Sequence, residues 1–151
     1  MSGFGDPIVL GYIATPEGEA ALERAIAEAK LRDALLVVVH SQLTPGDNEV
    51  VDGIEVDETM DPVSALLMER AVRFETRQVA EGRDPADDVI SVAEEVDADL
   101  IVIGLHKHTH MGKLIMGSNA HRILLNATCA VLAVKSADRA LSATPAASAA
   151  L

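Results

Sequence analysis

Aromatic residues are scarce in this chain: two Phe, one Tyr and no Trp in 151 residues. Without them there is no platform on which bases of a single strand could stack. Cations are scarce too. Twelve Lys and Arg face 24 Asp and Glu, for a formal net charge of −12, which argues against nucleic-acid backbones and anionic membranes as partners. The single Cys129 cannot form an internal disulfide; it fits a reducing compartment and reads as a buried structural thiol before an apolar strand. No apolar run approaches the length of a membrane span, and the first residues lack the basic start and apolar middle of a secretion signal. A cytoplasmic protein is the resulting expectation, with no membrane or nucleic-acid partner.

What is present is a repeating pattern of apolar runs and helix starts. Ile8 to Ile13, Leu35 to His40, Leu100 to Ile103 and Ala130 to Val134 are continuous apolar stretches, as expected of strands buried on both faces. Between them stand three helix-start pairs: Thr15-Pro16, Asp61-Pro62 and Asp84-Pro85. Each offers a capping oxygen followed by a residue that needs no N–H in the first turn. Leu22, Ala25, Ile26 and Ala29 form one stripe of a first helix running to about Leu31. Arg73 to Val79 alternates polar with apolar residues, predicting a half-exposed edge strand. The acidic stretch from Ser41 to Thr59 reads as an exposed loop. Residues 136–151 are rich in Ala and Ser with too few large apolar groups to pack, so the expected division is one domain over 1–135 and a disordered tail. Strands alternating with helices predict an open α/β fold: a parallel sheet with helices on both faces and ligands at the C-terminal strand ends.

The chemistry is expected between Gly104 and Ser118. A buried strand stops at Gly104, a loop follows, and Gly117-Ser118 opens a helix to about Asn126. The first N–H groups of that helix suit an anion, with Ser118 in the simpler role of its cap. His106, His108 and His110 alternate in the loop. No carboxylate or thiol accompanies them there, so a solvated polar loop is the preferred reading over a metal site. Ser118 lacks the elbow and oxyanion hole of a catalytic serine, so no enzyme is expected.

The motif Gly104-x2-Lys107-x9-Gly117-Ser118, followed by Arg122-Ile123-Leu124 and Cys129-x-Val131-Leu132-x-Val134, resembles that of the universal stress protein family. The earlier elements agree in order, so the likeness spans roughly residues 7 to 135. It implies a five-stranded parallel sheet of order 3-2-1-4-5, Rossmann-like, and a homodimer formed by antiparallel pairing of the last strand, Ala130 to Lys135. It also implies a stress-response module that binds or senses ATP or another adenine nucleotide, with no metal beyond nucleotide-bound Mg2+. The corresponding residues would be Ile13, Thr15, Val39, Gly104, Lys107, Gly117, Ser118 and Asn119. Ile13 and Val39 would wall the adenine, Gly104 would approach the ribose, and Gly117-Ser118 would take phosphates.

Two departures bear on this. Ile13 stands where ATP-binding members carry an Asp, and Lys107 replaces the second glycine of the family motif. Lys107 either fills the phosphate pocket or offers it a charge. The alternative reading is a member that binds no nucleotide and serves as a dimeric protein-interaction module.

Overall fold

The computed structural model describes residues 5–40, 48–51, 54–57, 60–78, 84–105, 107–110 and 113–136; for 48–51, 54–57, 60–61, 107–110 and 113–116 the description is of the backbone. The element order is β1 (Gly5–Tyr12), α1 (Pro16–Arg32), β2 (Ala34–His40), β3 (Asn48–Val51), β4 (Ile54–Asp57), α2 (Met60–Glu69), β5 (Phe74–Gln78), α3 (Pro85–Glu95), β6 (Leu100–Leu105), β7 (Lys107–His110), β8 (Lys113–Met116), α4 (Ser118–Asn126) and β9 (Ala130–Lys135).

The main sheet has the order β5-β2-β1-β6-β9, and all its pairings are parallel. Counted along the chain, that is the expected order 3-2-1-4-5. Continuous apolar runs make this possible, because every central strand must bury both faces. Ile8, Leu10, Leu36, Leu100 and Val102 pack on one side with Leu22, Ala25 and Ile26 of α1 and Leu67 of α2. Val9, Val37, Val39, Ile101 and Ile103 pack on the other with Val89 and Ala93 of α3 and Ala120 and Ile123 of α4. Ile8, Leu10, Leu22, Leu36, Leu67 and Ile101 are fully buried, each contributing about 1.5–3 kcal/mol of hydrophobic stabilisation relative to an exposed position. Strand β5 forms one edge and β9 the other.

Two of the three helix-start pairs act as expected. The Thr15 side chain accepts from the Gly18 N–H at 3.0 Å, and Asp84 accepts from the Ala86 N–H at 2.9 Å. At the third, α2 begins at Met60, which puts Asp61 in the first turn rather than at the cap. Pro62 still lies where its missing N–H is harmless.

Three expectations need correction. The stretch 41–59, read as loop, contains the antiparallel hairpin of β3 and β4. The stretch after Gly104 contains a second antiparallel hairpin, β7 with β8, so His108 and His110 sit on a strand. Ser118 is the first residue of α4 and Gly117 its cap, with no side-chain bond to the helix start. Of the expected tail, residues 136–151, all from 137 onward lie outside the described residues.

After α2 the chain turns through Ala71, with φ of 58°. The Ala71 N–H donates to Met68 O and the Val72 N–H to Leu67 O, both at 3.1 Å. This is the helix-ending double bond that normally places glycine at the left-handed position.

Candidate functional site

Strand order reverses beside β1, which has β2 on one side and β6 on the other. The crevice beyond the C-terminal ends of these strands is where open α/β sheets bind ligands. Here the chain leaves β1 at Tyr12 and turns at once. The Thr15 N–H donates to the Ile13 carbonyl at 2.8 Å, and Thr15 then caps α1. The turn is so tight that a Cβ on Gly18 would stand 1.7 Å from the Ile13 carbonyl oxygen. The start of α1 also presses on the end of β6: a Cβ on Gly104 would meet the Glu17 carbonyl oxygen at 2.5 Å.

An open cleft of about 550 Å³, counted with its mouth, fills this crevice. Its floor is Gly11, Val39, Ile103 and Gly104 from the strand ends. Ile13, Thr15, Glu17 and Gly18 form one wall; Pro85, Ala86 and Val89 of α3 and Asn119, Ala120 and Ile123 of α4 form the other. Three helices thus begin around the cleft. Side chains cap α1 and α3, whereas α4 has only Gly117 before it. The first N–H groups of α4 therefore keep the donor capacity and partial positive charge of an uncapped helix start.

The polar side chains around the cleft are largely committed to the fold. Thr15 serves Gly18. Buried Tyr12 donates its hydroxyl to Glu19 Oε1 at 2.5 Å. Burial, and then the Glu19 carboxylate, push the Tyr12 phenol above its ordinary range, so it stays a neutral donor. No Lys or Arg lines the cleft among the described residues. On the solvent side of its far wall, Arg122 Nη1 of α4 bonds Asp84 Oδ2, and Arg122 Nε lies 3.5 Å from Asp87 Oδ1.

Of the residues expected at the site, Ile13, Thr15, Val39, Gly104 and Asn119 line this one cleft. Gly117 and Ser118 stand at the start of α4, beside Asn119. The side chain of Lys107 lies outside the described residues, as do His106 and the side chains of His108 and His110. Among the described residues no group of three or more His, Cys, Asp or Glu could hold a metal ion. Sequence reasoning missed Gly18 and the α3 wall of Pro85, Ala86 and Val89. A signal for Gly18 existed, since it is the only glycine inside the α1 pattern. Cys129 is half-buried against the α3 side of the core. Desolvation there raises its thiol above the ordinary value, with Asp99 adding to the effect, and holds it in the unreactive form.

Comparison with known proteins agrees with this architecture. Residues 6–135 match the Universal stress protein family. A universal stress protein of Mycolicibacterium smegmatis is 41% identical over 128 residues, covering 85% of this chain and 96% of that protein. A universal stress protein from Archaeoglobus fulgidus superposes with a TM-score of 0.66 at 33% identity, covering 87% of this chain and 99% of that one. Another structure from the same organism, a universal stress protein in complex with dAMP, superposes with a TM-score of 0.61 at 28% identity, covering 89% of this chain and 100% of that one. The match over nearly the whole described sheet, together with the switch-point cleft, makes this chain a member of the universal stress protein family.

Proposed function

We propose that this protein is a cytoplasmic stress-response module that binds an adenine nucleotide in the switch-point cleft and does not turn it over. One observation carries the reading: a largely apolar cleft lies directly against an uncapped helix start. Apolar walls suit a base, and backbone N–H groups suit a phosphate. The dAMP complex of the related Archaeoglobus fulgidus protein supports the same ligand class.

In this reading Ile13 and Val39 wall the base, while Thr15 and the backbone of Gly104 face the sugar. Gly117, Ser118 and Asn119 offer N–H donors to phosphate, with Lys107 as a further contact. The space beside Gly117 fits this role, since a Cβ there would meet no atom of the described residues within 4 Å. Mg2+ would arrive with the nucleotide. Two copies would pair along β9, whose outer edge ends the sheet and would otherwise leave ladder groups unpaired.

A thermal-shift titration tests the ligand. AMP, dAMP and ATP with magnesium should each raise the melting temperature, by an amount equivalent to about 2.7 kcal/mol at a hundredfold excess over Kd. Absence of any rise at millimolar nucleotide would sink this reading and leave the interaction module. Size-exclusion across a dilution series tests the dimer, which should elute at twice the chain mass of 15.9 kDa.

A further inference from the structure

The two helices of the far wall are joined across the back of the cleft by one arginine. Arg122 of α4 bonds Asp84 and reaches Asp87, both at the start of α3. Asp84 serves twice. Its Oδ1 accepts from the Ala86 N–H at 2.9 Å and so caps α3, while its Oδ2 takes the Arg122 guanidinium. The neighbours of these residues form the cleft itself. Pro85 and Ala86 follow Asp84, and Ala120 and Ile123 flank Arg122 on the same helix.

The first turn of α4 has no side-chain cap of its own. Its described ties there are the bond from the His121 N–H to the Gly117 carbonyl at 3.0 Å and the buried contacts of Ala120 and Ile123. Ala86 and Ala120 are small and buried in the core that the two helices share. The ion pair joins the same two helix starts on the outside.

We propose that Asp84 and Arg122 are positioning residues for the cleft: their ion pair, extended by Asp87, holds the starts of α3 and α4 at the separation that admits the ligand. The geometric part stands on the contacts alone; the ligand part rests on the nucleotide reading above. The pair is partly exposed, so salt weakens it. An uncharged ligand makes no ionic contact of its own, so a salt-induced loss of its binding that the charge-removing variants lack reports the clasp.

The experiment uses adenosine and the full chain. Asp84→Asn keeps an oxygen for the Ala86 N–H while removing the charge, and Arg122→Gln removes the charge from the other side. The wild type should lose about threefold in adenosine affinity between about 0.05 and about 0.5 M NaCl. Both variants should bind about three- to fivefold more weakly at low salt, with little further salt dependence, and Arg122→Lys should recover part of the loss. Variants that bind adenosine like the wild type at both salt levels overturn the proposal.

Hydrogen exchange gives a second reading that needs no ligand. In Asp84→Asn the amides of 121–124, the first hydrogen-bonded ones of α4, should exchange about three- to fivefold faster, with those of α1 unchanged. If the wild type binds neither adenosine nor AMP, the nucleotide reading fails by itself, and exchange alone then judges the clasp. Equal exchange rates in variant and wild type overturn it.

Discussion

Gly104 and Gly117 bound the same loop and belong to the same sequence motif, yet the structure gives their missing side chains opposite reasons. At Gly104 the space is already occupied: the Glu17 carbonyl oxygen stands 2.5 Å from where a Cβ would be, and Glu17 C at 2.7 Å. The residue is glycine because the start of α1 has to lie on the end of β6. At Gly117 no atom of the described residues stands within 4 Å. Its φ of −63° and ψ of 152° suit any residue. Neither packing nor backbone asks for glycine there. One position is set by the fold; at the other, no described atom requires glycine. A motif that reads as a unit in sequence therefore divides into a structural half and, in the proposed reading, a binding half.

That division can be broken by experiment. Gly104→Ala should destabilise the protein by about 3 kcal/mol, because a backbone carbonyl has to give way; denaturant unfolding measures it, and a loss below about 0.5 kcal/mol would contradict the packing explanation. Gly117→Ser should weaken AMP binding about tenfold in calorimetric titration, by placing a side chain where phosphate would sit. The same variant should leave unfolding within about 0.5 kcal/mol of the wild type, since serine is at least as good a cap as glycine. Equal binding would return Gly117 to the structural half.

Ala71 supplies the reverse case, a position that wants glycine and lacks it. Its φ of 58° is unfavourable for a residue with a Cβ, so Ala71→Gly should stabilise the fold by about 0.5–1 kcal/mol. No gain in unfolding free energy would mean that the turn after α2 relaxes in some other way.

The fold was legible because its signals are local and repeated. Apolar runs such as Leu35 to Val39 have no polar face to expose, so they must lie inside a covered sheet. Thr15-Pro16 and Asp84-Pro85 mark helix starts by chemistry alone. The hairpins were not legible in the same way. Residues 107–116 have no clean apolar alternation, and that of Ile54-Glu55-Val56-Asp57 spans only four residues; what is seen to join each hairpin is backbone pairing. Asp52-Gly53, between β3 and β4 in sequence, was an available turn signal.

The site was legible only in part. Val39 and Gly104 follow from strand ends, and Asn119 from the helix start. Ile13 was read as the last residue of its strand, whereas β1 stops at Tyr12 because the next carbonyl is drawn into the turn that caps α1. The demand for glycine at Gly18 comes from that same carbonyl. The α3 wall comes from a segment that meets the motif only through the sheet. Such contacts are properties of chain crossing, and no window of sequence contains them.

Parallel topology also imposes an order in time. The strands β1, β2 and β5 lie within residues 5–78, whereas Ile8 must wait for Leu100, and the strand of Leu100 must wait for Val131 and its neighbours in β9. Such distant pairings form late and slowly. During synthesis the first three strands can associate while β1 still presents one bare edge. The cleft does not exist at that stage, because Ile13 and Val39 come from the early half and Ile103 and Asn119 from the late one. A ligand held there would recognise only finished chains, and on binding would fasten the two halves of the sheet to each other at the seam where they met last.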